Sequence, residues 1–458
     1  MLIEVPRHRK PAIATAWLMV LMLFPWPGFI LYLFLGIQKP PKHRLYQKEK
    51  LIQALADLKN QFADSYMKLR ADLGSGKQKT SEIVESSGGM YAMGSNNVEF
   101  INDSEKFILQ LIHDIEKALH HVHLQFYIFK NDDVGRRVSE AVIRAANRGV
   151  ECRLLLDAMG SRKFINRKSA ALRKKGIKIV AAYPMISLRH YLGRLDWRTH
   201  RKIAVIDGKT AFTGSQNIVD PSYGHNESNL IWRDLVARIS GPAVFSLQAI
   251  FLSDWYLGTD EALSDEEFFP SPDTNGDSPI QVLPSGPVYS PSNYHMVVIE
   301  ALYHAKKQVI ITTPYFIPDD AMLQALESVC RRGIDLNLVL PKKSDQFLPG
   351  NAAKSYYEDI MKWGARIHLF NDGILHTKSI SIDENICFFG SSNFDIRSFE
   401  LDFEMDLVFY GQKEIDDIKK QQRAYIHQSE ELDPEKWISR GLLRKTVENL
   451  SRLLSPML

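Results

Sequence analysis

The chain reads as an α/β protein built from two tandem α/β sandwich domains in pseudo-twofold arrangement, preceded by an N-terminal membrane helix. Three observations carry this. Short strand-like runs alternate with helical stretches in two successive passes. One chemical string, His-x-Lys-x-x-x-x-Asp, occurs once in each pass. An uncharged run of 26 residues, 12–37, stands ahead of both.

The apolar run comes first. It is flanked by Arg7, Arg9 and Lys10 on one side and by Lys39, Lys42 and Arg44 on the other. Its length is enough to cross a bilayer and too long for a cleaved signal peptide. Pro25-Trp26-Pro27-Gly28 interrupts its middle, which leaves two topologies open, one kinked span or a re-entrant hairpin. Lys48 and Lys50 enrich the C-terminal flank and place the following body on the cytoplasmic side. From Leu45 to Leu73, apolar residues at Leu51, Leu55, Leu58, Phe62, Tyr66 and Leu69 give a helical stripe, and 74–97, rich in Gly, Ser and Asn, reads as a loop or linker. The implied organisation is a membrane segment 1–40, an amphipathic helix and linker 41–97, a first domain 98–259, a linker 260–287 and a second domain 288–458.

In the first domain, Val122–Phe129, Val150–Leu156 and Ile177–Ala181 are strand-like, with a helix over Val134–Arg148. The second repeats the order with Val309–Phe316, Ile334–Leu340 and Arg366–Phe370. Arg148-Gly149-Val150 matches Arg332-Gly333-Ile334 at corresponding places. The acidic, proline-containing stretch 259–287 reads as the hinge between the halves.

The strings themselves are His200-Arg201-Lys202 followed by Asp207, and His376-Thr377-Lys378 followed by Asp383. A single match arises by chance at about one position in ten thousand. Each is followed, fifteen residues beyond its lysine, by the asparagine of Gly-Ser-x-Asn, namely Ser215 and Asn217, then Ser391 and Asn393. Ile203–Ile206 and Ser379–Ile382 read as strands, so each histidine shares a face with the lysine two residues on. Asp207 has the opposite parity and sits at an Asp-Gly turn before another apolar run, which gives it a supporting task. The small Gly-Ser pairs are expected to let the backbone approach a phosphate.

Two imidazoles and two ammonium groups around one phosphodiester suffice for a double displacement. One neutral imidazole attacks phosphorus, the other protonates the departing alkoxide, and the roles reverse for an acceptor alcohol. Lys202, Lys378, Asn217 and Asn393 would hold the non-bridging oxygens. Such chemistry needs no metal and no cofactor. Pseudo-twofold packing would bring both histidines to one cleft that neither half completes alone.

These strings resemble those of the phospholipase D superfamily, and the segments around them resemble its bacterial cardiolipin synthase branch. The resemblance rests on Thr199–Asp207, Phe212–Tyr223, Trp232–Leu235, Leu283–Pro287, Thr312–Pro318, Leu375–Asp383 and Gly390–Glu404. It implies phospholipase D-like domains and transfer of a phosphatidyl group between two phosphatidylglycerol molecules with release of glycerol. It implies a catalytic set of His200, Lys202, Asp207, His376, Lys378 and Asp383, with Asp234 and Glu404 orienting the histidines across the interface. Family habit makes His200 the nucleophile, whereas the near-symmetric halves do not distinguish the two. The implied setting is the bacterial cytoplasmic membrane, with phospholipid as partner and the oligomeric state left open. A phospholipase D-type hydrolase is the alternative.

Composition sets limits. Lys plus Arg exceed Asp plus Glu by 57 to 54, which argues against a nucleic-acid binder by bulk charge. A local cationic run, Arg162 to Lys178, suits either anionic head groups or a solvated helix face. Cys152, Cys330 and Cys387 show neither disulfide nor zinc spacing. Near the C-terminus, Leu442, Leu443, Val447, Leu450, Leu453 and Leu454, with Trp437, form an apolar stripe on a basic helix that fits either a bilayer surface or packing on the body.

Overall fold

The computed structural model describes residues 5, 11–32, 67–183, 197–223, 230–263, 265–287, 289 and 292–453. The expected helix over Leu45–Leu73 falls mainly on 45–66, outside the described residues.

The first half contains β1 (Met93–Ile101), β2 (His121–Phe126), β3 (Glu151–Asp157), β4 (Lys178–Ala182), β5 (Arg198–Thr199), β6 (Ile203–Ile206), β7 (Thr210–Gly214), β8 (Trp232–Arg233) and β9 (Val236–Ser240). The second contains β10 (Ser278–Ser285), β11 (Gln308–Thr312), β12 (Phe316–Ile317), β13 (Asp335–Pro341), β14 (Arg366–Phe370), β15 (Ile374–Leu375), β16 (Ser379–Ile382), β17 (Ile386–Gly390), β18 (Phe394–Asp395), β19 (Asp402–Phe409) and β20 (Ser429–Glu431). Their main sheet runs β20-β14-β13-β11-β16-β17-β19-β10-β1-β9-β7-β6-β2-β3-β4. Read outward from the centre, β1-β9-β7-β6-β2-β3-β4 and β10-β19-β17-β16-β11-β13-β14 are the same series, one per half. β1 stitches them: Met93 and Asn96 pair with β10, while Asn97–Ile101 pair with β9.

Where strands run parallel, as in β2-β3-β4 and β11-β13-β14, helices cross between them. The helix Asp133–Asn147 buries Val138, Ala141, Val142 and Ala145 against the first sheet. Asp320–Arg331 does the same in the second with Met322, Ala325, Leu326 and Val329. The helix Ala243–Thr259 is apolar nearly all round and buried, packed with Phe389, Leu407 and Phe409 of the opposite half.

Two segments depart from the sequence reading. Ser278–Ser285, inside the stretch expected to be a linker, is the central strand β10. Its prolines suggested a break, yet Pro284 pairs only with β19, because the ladder to β1 ends at Ile280. Gly74–Ser86, expected as loop, is a helix that buries Ser81 and Val84.

The N-terminal apolar run is not one continuous helix. It forms Pro11–Leu23 and Pro25–Leu31, broken at Phe24, whose backbone is non-helical ahead of Pro25. Trp17 and Tyr32 would lie about 22 Å apart on a straight helix. Their ring centroids are 5.3 Å apart, so the segment doubles back. Gly28 permits the turn, since a Cβ there would stand 2.8 Å from the Val20 carbonyl oxygen. Among the described residues no helix is long and apolar enough to cross a membrane.

Candidate active site

Each histidine follows a two-residue strand that pairs across the boundary between halves. β5 lies parallel to the start of β19, and the His200 amide donates to the Phe403 carbonyl at 2.9 Å. β15 lies parallel to β8, and the His376 amide donates to the Arg233 carbonyl at 2.9 Å. The residue after each of those carbonyls is a carboxylate aimed back at the ring. His200 Nδ1 stands 2.9 Å from Glu404 Oε1 and 3.1 Å from the Ser391 carbonyl. His376 Nδ1 stands 2.7 Å from Asp234 Oδ1. A carbonyl only accepts, so the proton of His200 resides on Nδ1 and Nε2 keeps its lone pair.

Ser215 and Ser391, expected to contact substrate, serve the carboxylates instead. Ser215 Oγ donates to Asp234 Oδ1 at 2.6 Å and Ser391 Oγ donates to Glu404 Oε2 at 2.5 Å. Both serines are wholly buried, with no surface for a phosphate. The glycines before them approach a neighbouring strand rather than a phosphate. A Cβ on Gly214 would lie 2.3 Å from the Leu235 carbonyl oxygen, and one on Gly390 2.3 Å from that of Met405.

Lys202 and Lys378 are buried, and each Nζ donates to the carbonyl of its own histidine at 2.5 Å. Burial pushes the Lys202 ammonium down to about 8, against the pull of Glu404 and Asp234. Lys378 lies well below the usual lysine range through burial and then through the nearby charge of Lys202. The two cations therefore share one electrostatic region. Burial, then Lys202 and Lys378, holds His200 well below its ordinary value, and His376 is lowered to about 4. Burial raises Glu404 to about 7. Burial would also raise Asp234, but His376, Lys378 and Ser215 outweigh it and hold this carboxyl below its ordinary value.

Asn217 lines a shallow recess together with Trp232, Asp234, His376 and Tyr223. Its Oδ1 accepts from the Ile128 amide at 3.0 Å, which leaves its amide NH₂ for a ligand. Asn393 is buried, its backbone amide donates to Ser398 Oγ, and its Oδ1 has no hydrogen-bond partner among the described residues.

Asp207 and Asp383, counted with the catalytic set from the sequence, lie outside the site. Each occupies the far end of its strand, about 16 Å beyond the lysine at strand rise. Asp207 accepts from the amides of Leu119, His120 and His121, and Asp383 from those of Lys306, Lys307 and Gln308. Both have positive φ, 53° and 54°, and with Gly208 at 63° the first makes the tight turn expected at Asp-Gly.

Two aromatic contacts escaped the sequence reading. Trp232 stands edge-on to His376 with ring centroids 4.5 Å apart, and Tyr127 edge-on to His200 at 5.1 Å. Trp232 was detectable in principle, because it lies two residues before Asp234 and therefore on the same strand face.

Two crossed imidazole–carboxylate pairs with two buried lysines, on a duplicated α/β sheet, define a phospholipase D-like class. The profile described as "Cardiolipin synthase, PLD-like domain" matches residues 111–255 and 298–426, and that described as "Phospholipase_D-nuclease N-terminal" matches 1–36. The chain belongs to the cardiolipin synthase family of phospholipase D-type phosphatidyltransferases. It is 33% identical to cardiolipin synthase A of Klebsiella pneumoniae (strain 342), over 99% of this chain and 94% of the relative. Cardiolipin synthase 1 of Bacillus cereus is 31% identical, over 98% and 90%. The fold is shared with the crystal structure of phosphatidylserine synthase from Haemophilus influenzae Rd KW20 (TM-score 0.63, 14% identity, 83% of this chain and 100% of that one).

Proposed function

We propose that this enzyme makes cardiolipin from two molecules of phosphatidylglycerol through a phosphohistidine. His200 Nε2 attacks phosphorus, the bond from phosphorus to the glycerol oxygen breaks, and His376 delivers a proton to that oxygen. A second phosphatidylglycerol then gives its hydroxyl proton to His376 while its oxygen attacks phosphorus, and the phosphorus–nitrogen bond breaks. One diester is exchanged for another, so no energy-rich co-substrate enters.

The single observation that carries this reading is the crossed pairing of His200 with Glu404 and of His376 with Asp234. Its two arms are unequal in a useful way. Glu404, raised to about 7, exerts a weak pull and leaves His200 neutral, as a nucleophile must be. Asp234 stays ionised and opposes the burial that lowers His376 to about 4, and a bound phosphodiester anion adds to that opposition, so that His376 can carry the proton it delivers. Lys202 and Lys378 hold the non-bridging oxygens, and a phosphodiester anion between them keeps both protonated. Asn217 and Asn393 add hydrogen bonds to the same oxygens. The N-terminal apolar segment, 12–37, attaches the enzyme to the bacterial cytoplasmic membrane with the body on the cytoplasmic side.

Reconstitution with phosphatidylglycerol labelled in both acyl chains and glycerol tests this. Cardiolipin and free glycerol should appear in equal amounts. Phosphatidic acid without cardiolipin would show that water is the acceptor and overturn the transferase reading.

A further inference from the structure

The C-terminal helix Leu442–Leu453 is mounted inside out. Glu448 is 0% exposed and faces the body, where Arg440 Nε holds it at 2.8 Å and Arg444 Nε at 3.2 Å. Ser451 is buried beside it, and the Arg452 guanidinium lies over the Tyr356 ring at 4.3 Å. The opposite face carries Leu442 and Leu443, 83% and 81% exposed, with Leu450 at 58% and Leu453 at 74%. At 100° per residue these four leucines fall within one third of the helix circumference. Ordinary surface helices bury that face. Here the buried Glu448 carboxylate, paired with Arg440 outside the helix, fixes it with its leucines outward, so rotation to hide them would part Glu448 from Arg440.

We propose that this leucine face is a second membrane contact, which lies on the surface of an anionic bilayer. The inference rests on the phospholipid substrate class of the enzyme and assigns it a docking surface apart from the N-terminal segment. Charge selects the occupant. Residues 433–453 hold five Lys or Arg (Lys436, Arg440, Arg444, Lys445 and Arg452) against Asp433, Glu435 and Glu448, and Glu358 and Asp359 of the adjoining helix pair with Arg440, Lys445 and Arg452, so the positive charge left facing outward sits at Lys436 and Arg444. Lys436 and the outer part of Arg444 remain exposed, with side-chain exposures of 87% and 55%. A second copy docking leucine to leucine would set these cations against their own kind, whereas phosphatidylglycerol head groups supply the opposite sign. Exposed Ile438, with Phe347 at the start of the helix Phe347–Lys362 on which the C-terminal helix packs, extends the apolar character of this region.

The test uses the full chain with Cys330→Ser and Leu450→Cys, labelled at the new cysteine with an environment-sensitive fluorophore and mixed with phosphatidylglycerol-containing vesicles. The label should shift to the blue and become quenchable by brominated acyl chains, with a much smaller response to vesicles of phosphatidylcholine alone. In unlabelled protein, replacing the four leucines by serine should raise KM for vesicle-borne substrate at least fivefold. Turnover of short-chain substrate dispersed as monomers should be unchanged. A label that stays aqueous on anionic vesicles would overturn the proposal. So would a blue shift that needs only higher protein concentration, which would mark a self-association surface. Cardiolipin formation by the parent protein on the same vesicles is read in parallel, so a failed function and a failed docking surface give different results.

Discussion

The two histidines occupy equivalent places on duplicated scaffolds and keep different company. At His376 the strand face that carries Asp234 also carries Trp232, and an open recess adjoins both. At His200 the corresponding position, two residues before Glu404, is Asp402, paired with Arg397 at 3.0 Å. Burial raises the Asp402 carboxyl well above its ordinary value. The strand face beside one carboxylate is thus aromatic and that beside the other polar. Duplication supplied a symmetric reaction core, and divergence of its surroundings gives each orienting carboxylate its own proton affinity.

The first way to break this comparison is to remove each ring. His200→Ala and His376→Ala should each lower turnover by at least about a thousandfold, with little further loss in the double variant, because the pair acts as a unit. Phosphopeptide mapping after rapid quench should locate label on His200, and label on His376 would reverse the roles. The residue between each histidine and lysine gives a second contrast. Arg201 is wholly buried and bonds Asp254, the Glu404 carbonyl and the Ser285 carbonyl. Thr377 hydrogen-bonds, among the described residues, with the Arg233 carbonyl and the Tyr425 hydroxyl. Arg201→Ala should therefore cost about 3–5 kcal/mol by denaturant unfolding, and Thr377→Ala only about 1 kcal/mol.

The carboxylates sharpen the comparison further. Asp234→Asn and Glu404→Gln should each reduce kcat by about 10–100-fold. If Asp234 is the arm that sustains an imidazolium, Asp234→Asn should show the larger loss above neutral pH. Equal losses at every pH would remove the distinction between the arms. A smaller effect concerns stability. Burial lowers His121 to about 4 and His123 well below its ordinary value, both in the first half. The unfolded chain takes up protons on these rings from about pH 6.5 downward while the folded one does not, so stability declines as pH falls from there toward 4. Chemical denaturation across that range should show this slope, flattened in His121→Leu. The smallest change expected is at Trp232→Ala, a several-fold rise in KM with kcat nearly kept, since the ring shapes the recess without entering the chemistry.

Much of this was legible in the sequence because it depends on short periods. Ile203–Ile206, Ser379–Ile382 and Arg366–Phe370 coincide with observed strands, and parity alone separated Asp207 from the lysine face. The histidine–carboxylate partnership came from resemblance, since residues 204 positions apart leave no local signal of their pairing. The serines misled for a related reason. A Gly-Ser-x-Asn string fits phosphate binding by composition, yet the contacts that define Ser215 and Ser391 arise only when residues 234–235, leading into β9, and β19 lie alongside. Pro279 and Pro284 hid a central strand, because sequence does not reveal which stretch of β10 lacks a second neighbour.

The stitching strand β1 has a consequence for how such a chain can change over generations. Since it belongs to both sheets, and since each half holds the other's imidazole in place, the halves are not exchangeable modules. A hybrid that takes one half from a distant relative inherits a reactive ring without the acidic neighbour it grew up with. Successful innovation in this lineage must then travel in matched pairs of changes on opposite sides of the seam.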